Sequence, residues 1–448
     1  MYRDQDVEII DKNLGKLEDK AREIYINNYE PTIQETRSVY SIIKDYIRKN
    51  KLIVYGGYAQ NALIKKQNEK DAFYKESDLA DIEFYSPEPL KDLINLCDLL
   101  HNKNFKHIEG KEGVHNETYK IFVNFHNYLD LSYLPKNVYN HLPTITLEGM
   151  KMTHPQFMIM DAYRVYTDPM SSYFRLTKTF SRFNKLIEHY PFNKNSIYNE
   201  VHFDVNISEK EYDNINYFIR KQIVQRNKLI MIGFQAFNRL MKKAKMPTTH
   251  FIQEQYYQLI SHNYNNDKKK FFNLLNKKFS NISKKHYHKY SQFLDETTEY
   301  YYKEQLILRL YGNNEKCNVY KYSKKKKTYY GTIQLQLLYL LIHYNIGIIR
   351  NNNFTQTFNL AMITRLLKAR NSYLEKHNLT VLDDSPFQEF TMDCLGEPKD
   401  LLRSSMLQGL ENRKKGKPMK FAYRPKGTPG KVPEYRFNNT SGELKNKK

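Results

Sequence analysis

The sequence predicts an α/β fold of the α+β kind, built twice in tandem, on three observations. First, an apolar run, Leu52–Tyr55, ends at Gly56-Gly57 and passes directly into residues of helical composition. Second, Ala80-Asp81-Ile82-Glu83-Phe84 alternates apolar and acidic residues, as a strand does when both carboxylates share one face. Third, Lys228–Lys243 aligns without gaps on Lys51–Lys66, and nine of the sixteen positions are identical. The match runs back into the preceding segment, where Tyr40, Ile42, Lys44 and Asn50 meet Tyr217, Ile219, Lys221 and Asn227. A single repeat of such long period is a duplicated domain, not a solenoid.

Taken in order, residues 1–30 read as one amphipathic helix, with Val7, Ile10, Leu14, Leu17, Ala21 and Ile24 at three- and four-residue spacing. Pro31 suits the first turn of a second helix reaching Asn50. The glycine turn, the acidic strand and a helix over Pro89–His101 follow. The alternating run Lys120–Phe125 precedes a strand, Asn127–Tyr133, that sets Asp130 between leucines and ends before Pro135. Helices over Gln156–Tyr166 and Tyr173–Tyr190 close the first domain near Pro191. The domains expected are an N-terminal helix over 1–30, a first copy over 31–195, a second copy over 200–405 and a basic extended tail over 406–448. From Gly409 that tail holds twelve Lys and Arg against three Glu, so it reads as extended or disordered. The helix over Gln334–Ile349 is apolar on nearly every side and must be buried. Its most apolar window, Leu335–Ile349, is too short and too interrupted to span a bilayer.

Composition narrows the function. The 448 residues carry 71 Lys and Arg against 49 Asp and Glu, a formal charge of +22, which points to a polyanionic partner. A coding bias toward Lys, Asn, Tyr and Ile would raise Asp and Glu as well, so it does not explain the imbalance. Cys97, Cys317 and Cys394 are widely spaced and odd in number, which predicts neither a disulfide nor a cysteine zinc site, and a reducing compartment. The N-terminus is unlike a signal peptide. His286 and His288 have no acidic ligand close in sequence, and no zinc role is expected of them.

The chemistry concentrates around the glycine turn. A strand-to-helix junction leaves backbone N–H groups at a helix N-terminus, a cradle for phosphate. Two carboxylates on one strand face repel unless a cation lies between them, and hard oxygen ligands suit Mg2+ or Mn2+. The second copy lacks these parts: Phe234 stands where Gly57 does, and Glu254–Ser261 has no acidic pair two residues apart. Arg175, Lys178 and Arg182 share one helical face, a solvated basic face or a contact for triphosphate or primer. Lys324, Lys325, Lys326 and Lys327, between Tyr320-Lys-Tyr and Tyr329-Tyr330, form a hairpin tip, either a solvated loop or a site for single-stranded RNA.

A glycine pair followed by an acidic pair and a third carboxylate resembles the motif of nucleotidyltransferases similar to DNA polymerase beta. With its degenerate second copy, the chain resembles the catalytic subunit of the poly(A) polymerases of poxviruses and giant DNA viruses. The resemblance implies two tandem nucleotidyltransferase domains, the second inactive, and transfer of AMP from ATP to the RNA 3′ end without a template. It implies Asp81, Glu83 and Asp130 as catalytic ligands of two Mg2+ or Mn2+ ions, with Asp130 the acceptor of the hydroxyl proton. Gly56, Gly57 and Tyr58 are implied as nucleotide-binding, with Lys178 and Arg182 beside them, and Lys324–Lys327 as RNA-binding. A homodimer or a separate processivity subunit is expected, no membrane, and location in the virion or the viral factory of the host cytoplasm. Two departures stand out: Tyr58 replaces a common serine, and the long spacing from Gly57 to Asp81 implies a loop inserted around Lys65–Ser77. The alternatives are another RNA terminal nucleotidyltransferase and an inactive RNA-binding scaffold.

Overall fold

The computed structural model describes residues 2–425 apart from 30, 75–77, 79, 116, 193–206, 314 and 417–419. Side-chain caps start several of the helices. Thr32 caps the helix Ile33–Asn50 by accepting from Glu35 N–H, so Pro31 lies just outside it rather than in its first turn. Val39, Ile43, Tyr46 and Ile47 are its buried stripe. The helix Asp4–Asn28 forms as read, but buries none of its residues. In chain order the strands are β1 Ile53–Tyr55, β2 Ile82–Ser86, β3 Glu109–Glu112, β4 Thr118–Val123, β5 His126–Tyr133, β6 Thr144–Leu147 and β7 Met150–Thr153. Then come β8 Leu229–Ile232, β9 Tyr257–Ser261, β10 Ile282–Tyr287, β11 Thr297–Tyr302 and β12 Gln305–Gly312. The last four are β13 Asn318–Ser323, β14 Thr328–Gly331, β15 Cys394–Leu395 and β16 Ala422–Tyr423.

These strands make two sheets, ordered β16-β3-β4-β5-β2-β1-β7-β6 and β10-β11-β12-β9-β8-β14-β13-β15. From β3 to β6 and from β10 to β13 the order is the same. So are the senses: β2 runs parallel to β5 and β1 to β7, as β9 does to β12 and β8 to β14, while the other neighbours are antiparallel. The duplication seen in sixteen residues therefore extends over a whole sheet. It also keeps its polar fastenings. Ser86 Oγ donates to Asp92 Oδ2, and Ser261 Oγ donates to Asp267 Oδ2 at 2.6 Å. Asn61 Oδ1 accepts from Phe73 N–H at 2.8 Å, and Asn238 Oδ1 from Ile252 N–H at 3.0 Å.

The chain divides into two compact units that do not follow its order. The first takes the described residues of Met1–Leu134, Thr144–Thr153 and Leu401–Tyr435; the second takes those of Pro135–Pro143 and His154–Asp400. The core of the first lies under its sheet, where Ile82, Phe84, Leu129 and Leu131 meet Leu93, Leu96 and Cys97, all fully buried. The helices Pro155–Thr167 and Leu176–His189 group with the second unit instead of closing the first. That unit also holds the helix Ile333–Ile349, buried on every side as its composition requires. No described helix is long and apolar enough to cross a membrane.

Two expectations are corrected. Cys317 and Cys394 form a disulfide, in the short ladder that joins β13 to β15. Sequence spacing missed it because the partners lie 77 residues apart. The tail is not wholly extended: Leu401–Lys414 is a helix, and β16 pairs with β3 beside Phe421, which is only 4% exposed. An aromatic side chain within a basic stretch is enough to anchor it. Residues 426–448 of that tail lie outside the described residues.

Candidate active site

The site is built on β1, β2 and β5 of the first unit. Gly56 begins the turn after β1 with φ of +67°, which favours glycine. A Cβ there would lie 1.9 Å from Glu83 Oε2, so glycine is required for space as well as for conformation. The reason is that Glu83 lies across the turn and accepts from Gly57 N–H at 2.5 Å. In β2, Ile82 is fully buried beneath the sheet while Glu83 faces the other side, as the alternation requires. Asp81 stands just before β2. Tyr40, whose hydroxyl donates to the Ala80 carbonyl at 3.0 Å, fixes the approach. Parallel pairing then sets Asp130 of β5 directly beside Glu83. Register thus sets Glu83 and Asp130 side by side, with Asp81 two residues before Glu83 at the end of the strand.

Two residues absent from the sequence argument complete the group. Lys120 of β4 is the antiparallel partner of Asp130, and its Nζ donates to both carboxylate oxygens at 2.6 and 2.8 Å. Asn127 Nδ2 bridges Asp81 Oδ2 at 2.7 Å and Asp130 Oδ1 at 3.2 Å. A lysine ten residues before an aspartate becomes informative only once the hairpin register is known. Three carboxylates against one ammonium leave two negative charges. Asp81 accordingly has its pKa raised, first by crowding that strips its hydration and then by the charge of Asp130. Asp81 is exposed by surface area, so the desolvation comes from the walls around it and not from full burial. Its oxygen donors and unbalanced negative charge fit hard divalent cations. Lys120, Asn127 and Gly57 N–H take up the carboxylate oxygens.

Gly57 and Tyr58 follow in the first turn of the helix Gly56–Gln67, and Lys44 Nζ lies 5.4 Å from the centre of the Tyr58 ring. The other candidates belong to the second unit. Lys178 and Arg182 sit on the helix Leu176–His189, and Lys324, Lys325, Lys326 and Lys327 form the exposed turn between β13 and β14. Tyr329 packs against Tyr320 and Tyr322 beside that turn.

The second sheet shows what replaced the acids. Gly233 keeps the positive φ, +69°, and a Cβ there would lie 2.2 Å from Gln258 Nε2. Gln258 occupies the place of Glu83, since Ile232 pairs with it as Tyr55 pairs with Glu83. Arg309 pairs with Gln258 across parallel strands and with Glu299 across antiparallel ones, as Asp130 does with Glu83 and Lys120. The ion pair is therefore reversed: Arg309 Nη2 to Glu299 Oε1 at 2.5 Å stands where Lys120 meets Asp130. Tyr256 stands where Asp81 would, with the Arg309 guanidinium 5.0 Å from its ring centre. Burial works against the charge of Glu299, yet Arg309 and the hydroxyls of Tyr301 and Tyr287 bring its pKa below the usual value. Such a site has its own cation and no reason to bind another.

Comparisons with known proteins bear on the family and the fold of the chain. Residues 41–172 match the family model for the poly(A) polymerase catalytic subunit. Residues 184–447 match the model for the C-terminal part of a putative poly(A) polymerase catalytic subunit of the mimivirus kind. A putative poly(A) polymerase catalytic subunit of Acanthamoeba polyphaga mimivirus is 32% identical over 489 aligned residues, covering 98% of this chain and 82% of the relative. One from African swine fever virus is 27% identical over 168 residues, 36% of this chain and 35% of the relative. The crystal structure of the Megavirus polyadenylate synthase superposes with a TM-score of 0.91 at 33% identity, covering 99% of this chain and 92% of that one.

Proposed function

This chain belongs to the poly(A) polymerase catalytic subunit family, and from that premise we infer that it is a template-independent polynucleotide adenylyltransferase. It adds AMP from ATP to the 3′-hydroxyl of mRNA. The observation that carries the reading is the contrast between the two sheets. One register holds Asp81, Glu83 and Asp130 beside a glycine turn, and the same register in the copy holds Tyr256, Gln258 and Arg309. A scaffold without catalysis has no use for acids that repel each other in one copy only.

Asp81, Glu83 and Asp130 would hold two Mg2+ or Mn2+ ions, which when bound neutralise the triphosphate and make the RNA 3′-hydroxyl more acidic. The chain's own groups do the rest. Asp130 takes the hydroxyl proton on a carboxylate oxygen that Lys120 now occupies. Gly57 N–H passes from Glu83 to a phosphate oxygen as Glu83 turns away, and Tyr58 N–H joins it at the helix N-terminus. Lys178 and Arg182 take part in nucleotide binding, and Lys324–Lys327 in holding RNA by phosphate contact beside the tyrosines. A homodimer or a processivity subunit, and location in the virion or viral factory, complete the proposal.

The test is to incubate the full chain with a short labelled RNA primer, Mg2+ or Mn2+, and each nucleoside triphosphate separately. ATP alone should support extension; equal use of all four would refute the assignment. Asp81→Ala and Glu83→Ala should abolish extension with fold and RNA binding preserved, and Asp130→Asn should do the same. A folded double variant that still extends at a substantial fraction of the wild-type rate would remove these residues from the mechanism.

A further inference from the structure

We propose that the second unit carries a transition-metal site of its own, formed by His286, His288 and Glu296 at the exposed edge of its sheet. These three residues offer ligand atoms that all lie within 4.8 Å of one another. The arrangement follows from strand geometry. His286 lies in β10 and His288 just beyond it, two residues apart, so both imidazoles leave the same face of the edge strand. Glu296 comes just before β11, and continuing the β10–β11 register sets it across from His288. Its carbonyl is held by Gly312 N–H at 2.8 Å, which anchors the backbone that carries the carboxylate. No acidic residue near His286 and His288 in the sequence suggested a ligand, and the strand pairing supplies one.

The imidazole is also aimed. His286 Nδ1 lies 3.3 Å from Tyr264 Oη and 3.4 Å from Thr298 Oγ1, both on the inner side of the strand. With Nδ1 engaged there, Nε2 faces Glu296 Oε2 at 3.8 Å. A metal-binding histidine is oriented by a partner on the ring nitrogen that does not bind the metal, and here the hydroxyls at Nδ1 leave Nε2 free to share an ion with Glu296. Two of the three neighbouring ammonium groups, those of Lys284 and Lys285, lie over aromatic rings. Lys284, on the same strand face, lies 4.1 Å from the centre of Phe272, and Lys285 lies over Tyr301 on the other face. Lys268 is 4.8 Å from the Tyr264 ring centre and 3.7 Å from Glu296 Oε2, so it must yield that oxygen. Two imidazoles and a carboxylate suit Zn2+ or Ni2+ better than Mg2+. Ligand atoms about 3.3 Å apart, as tetrahedral zinc with bonds of about 2.0–2.1 Å requires, are reached by small rotations of these side chains. The remaining position is open to water. Metal bound here would clasp the edge strand β10 to β11.

Isothermal titration of Zn2+ into chelator-treated full-length protein tests this, with millimolar Mg2+ present to occupy the carboxylate site of the first unit. Wild type should bind one Zn2+ per chain, and an Asp81→Asn/Glu83→Gln variant should bind it equally. His288→Ala, at an exposed position, and His286→Ala/His288→Ala should weaken binding about tenfold or more. Glu296→Gln should weaken it too. No uptake by wild type, or uptake unchanged in a folded histidine variant, would overturn the site. Loss in the Asp81/Glu83 variant alone would place the zinc on the polymerase carboxylates and equally overturn it.

Discussion

The two glycines at the start of the repeated helices allow catalysis and folding to be separated with one pair of substitutions. Gly56→Ala and Gly233→Ala each force alanine into positive φ, at +67° and +69°. That strain costs about 1–2 kcal/mol at Gly56 and about 1–3 kcal/mol at Gly233, whose ψ of −146° lies in a region nearly reserved for glycine, less about 0.4–1 kcal/mol regained because alanine stiffens the unfolded chain. Each new methyl also meets a side chain across the turn, Glu83 in one copy and Gln258 in the other. Both are the ends of flexible side chains and can move. Moving Glu83 breaks its hydrogen bond from Gly57 N–H, a charge-assisted bond of about 1.5–3 kcal/mol, so Gly56→Ala should lose about 2–4 kcal/mol. Moving Gln258 disturbs its bond from Tyr311 Oη, a neutral bond of about 0.5–1.5 kcal/mol, so Gly233→Ala should lose about 1–4 kcal/mol. Thermal melts rank the two losses; primer extension by the fraction that remains folded measures the chemistry. Gly56→Ala displaces Glu83, a carboxylate the proposed mechanism requires, and should slow extension about 100-fold or more, whereas Gly233→Ala should leave it near wild type. Equal loss of activity in both variants, or full activity in folded Gly56→Ala, would refute the division of labour between the two sheets.

Four further outcomes are expected. Asp81 has a raised pKa in the folded state, so its charge opposes folding as pH rises from its unfolded value through the folded one. Asp81→Asn should therefore melt higher than wild type at neutral pH without divalent metal, an advantage that vanishes in acid where Asp81 is protonated in both states. Added Mg2+ should raise the wild-type melting temperature more than that of Asp81→Asn/Glu83→Gln. Neutralising Lys324, Lys325, Lys326 and Lys327 should lower the slope of log affinity for single-stranded RNA against log salt by up to about 3, as measured by primer binding over a salt series. Arg309→Ala leaves Glu299, 8% exposed, without its cation, and should cost about 3–5 kcal/mol by denaturant unfolding of the second unit.

What was legible in the sequence is what the chain writes locally. The glycine turn, the alternation around Asp81 and Glu83, and the leucines flanking Asp130 all lie within spans of a few residues, and period two assigns their faces without knowledge of neighbours. The duplication was legible because sixteen residues kept their order. What stayed hidden depends on pairing between strands. Lys120 acquires meaning from the β4–β5 register, and Arg309 from two registers at once. Glu296 meets His286 and His288 only because β11 turns back along β10. The Cys317–Cys394 bond and the Phe421 anchor join segments whose separation no local pattern encodes.

The return of the chain end to the first sheet has a consequence for the order of synthesis. Lys420 Nζ donates to the Gly113 carbonyl across 307 residues, and Tyr423 Oη to Asp98 at 2.6 Å across 325. The ribosome delivers about 5–20 residues per second, so roughly 15–60 s separate translation of β3 from translation of the strand that covers it. Throughout that interval the edge of β3 offers its unpaired N–H and C=O groups to any other chain. The first sheet is finished last, after the entire second copy has left the ribosome. A message cut short between the codons for Tyr133 and Phe421 therefore yields a polypeptide with all three acids and an open sheet edge. Nascent chains on one polysome are the nearest strands available to pair with it.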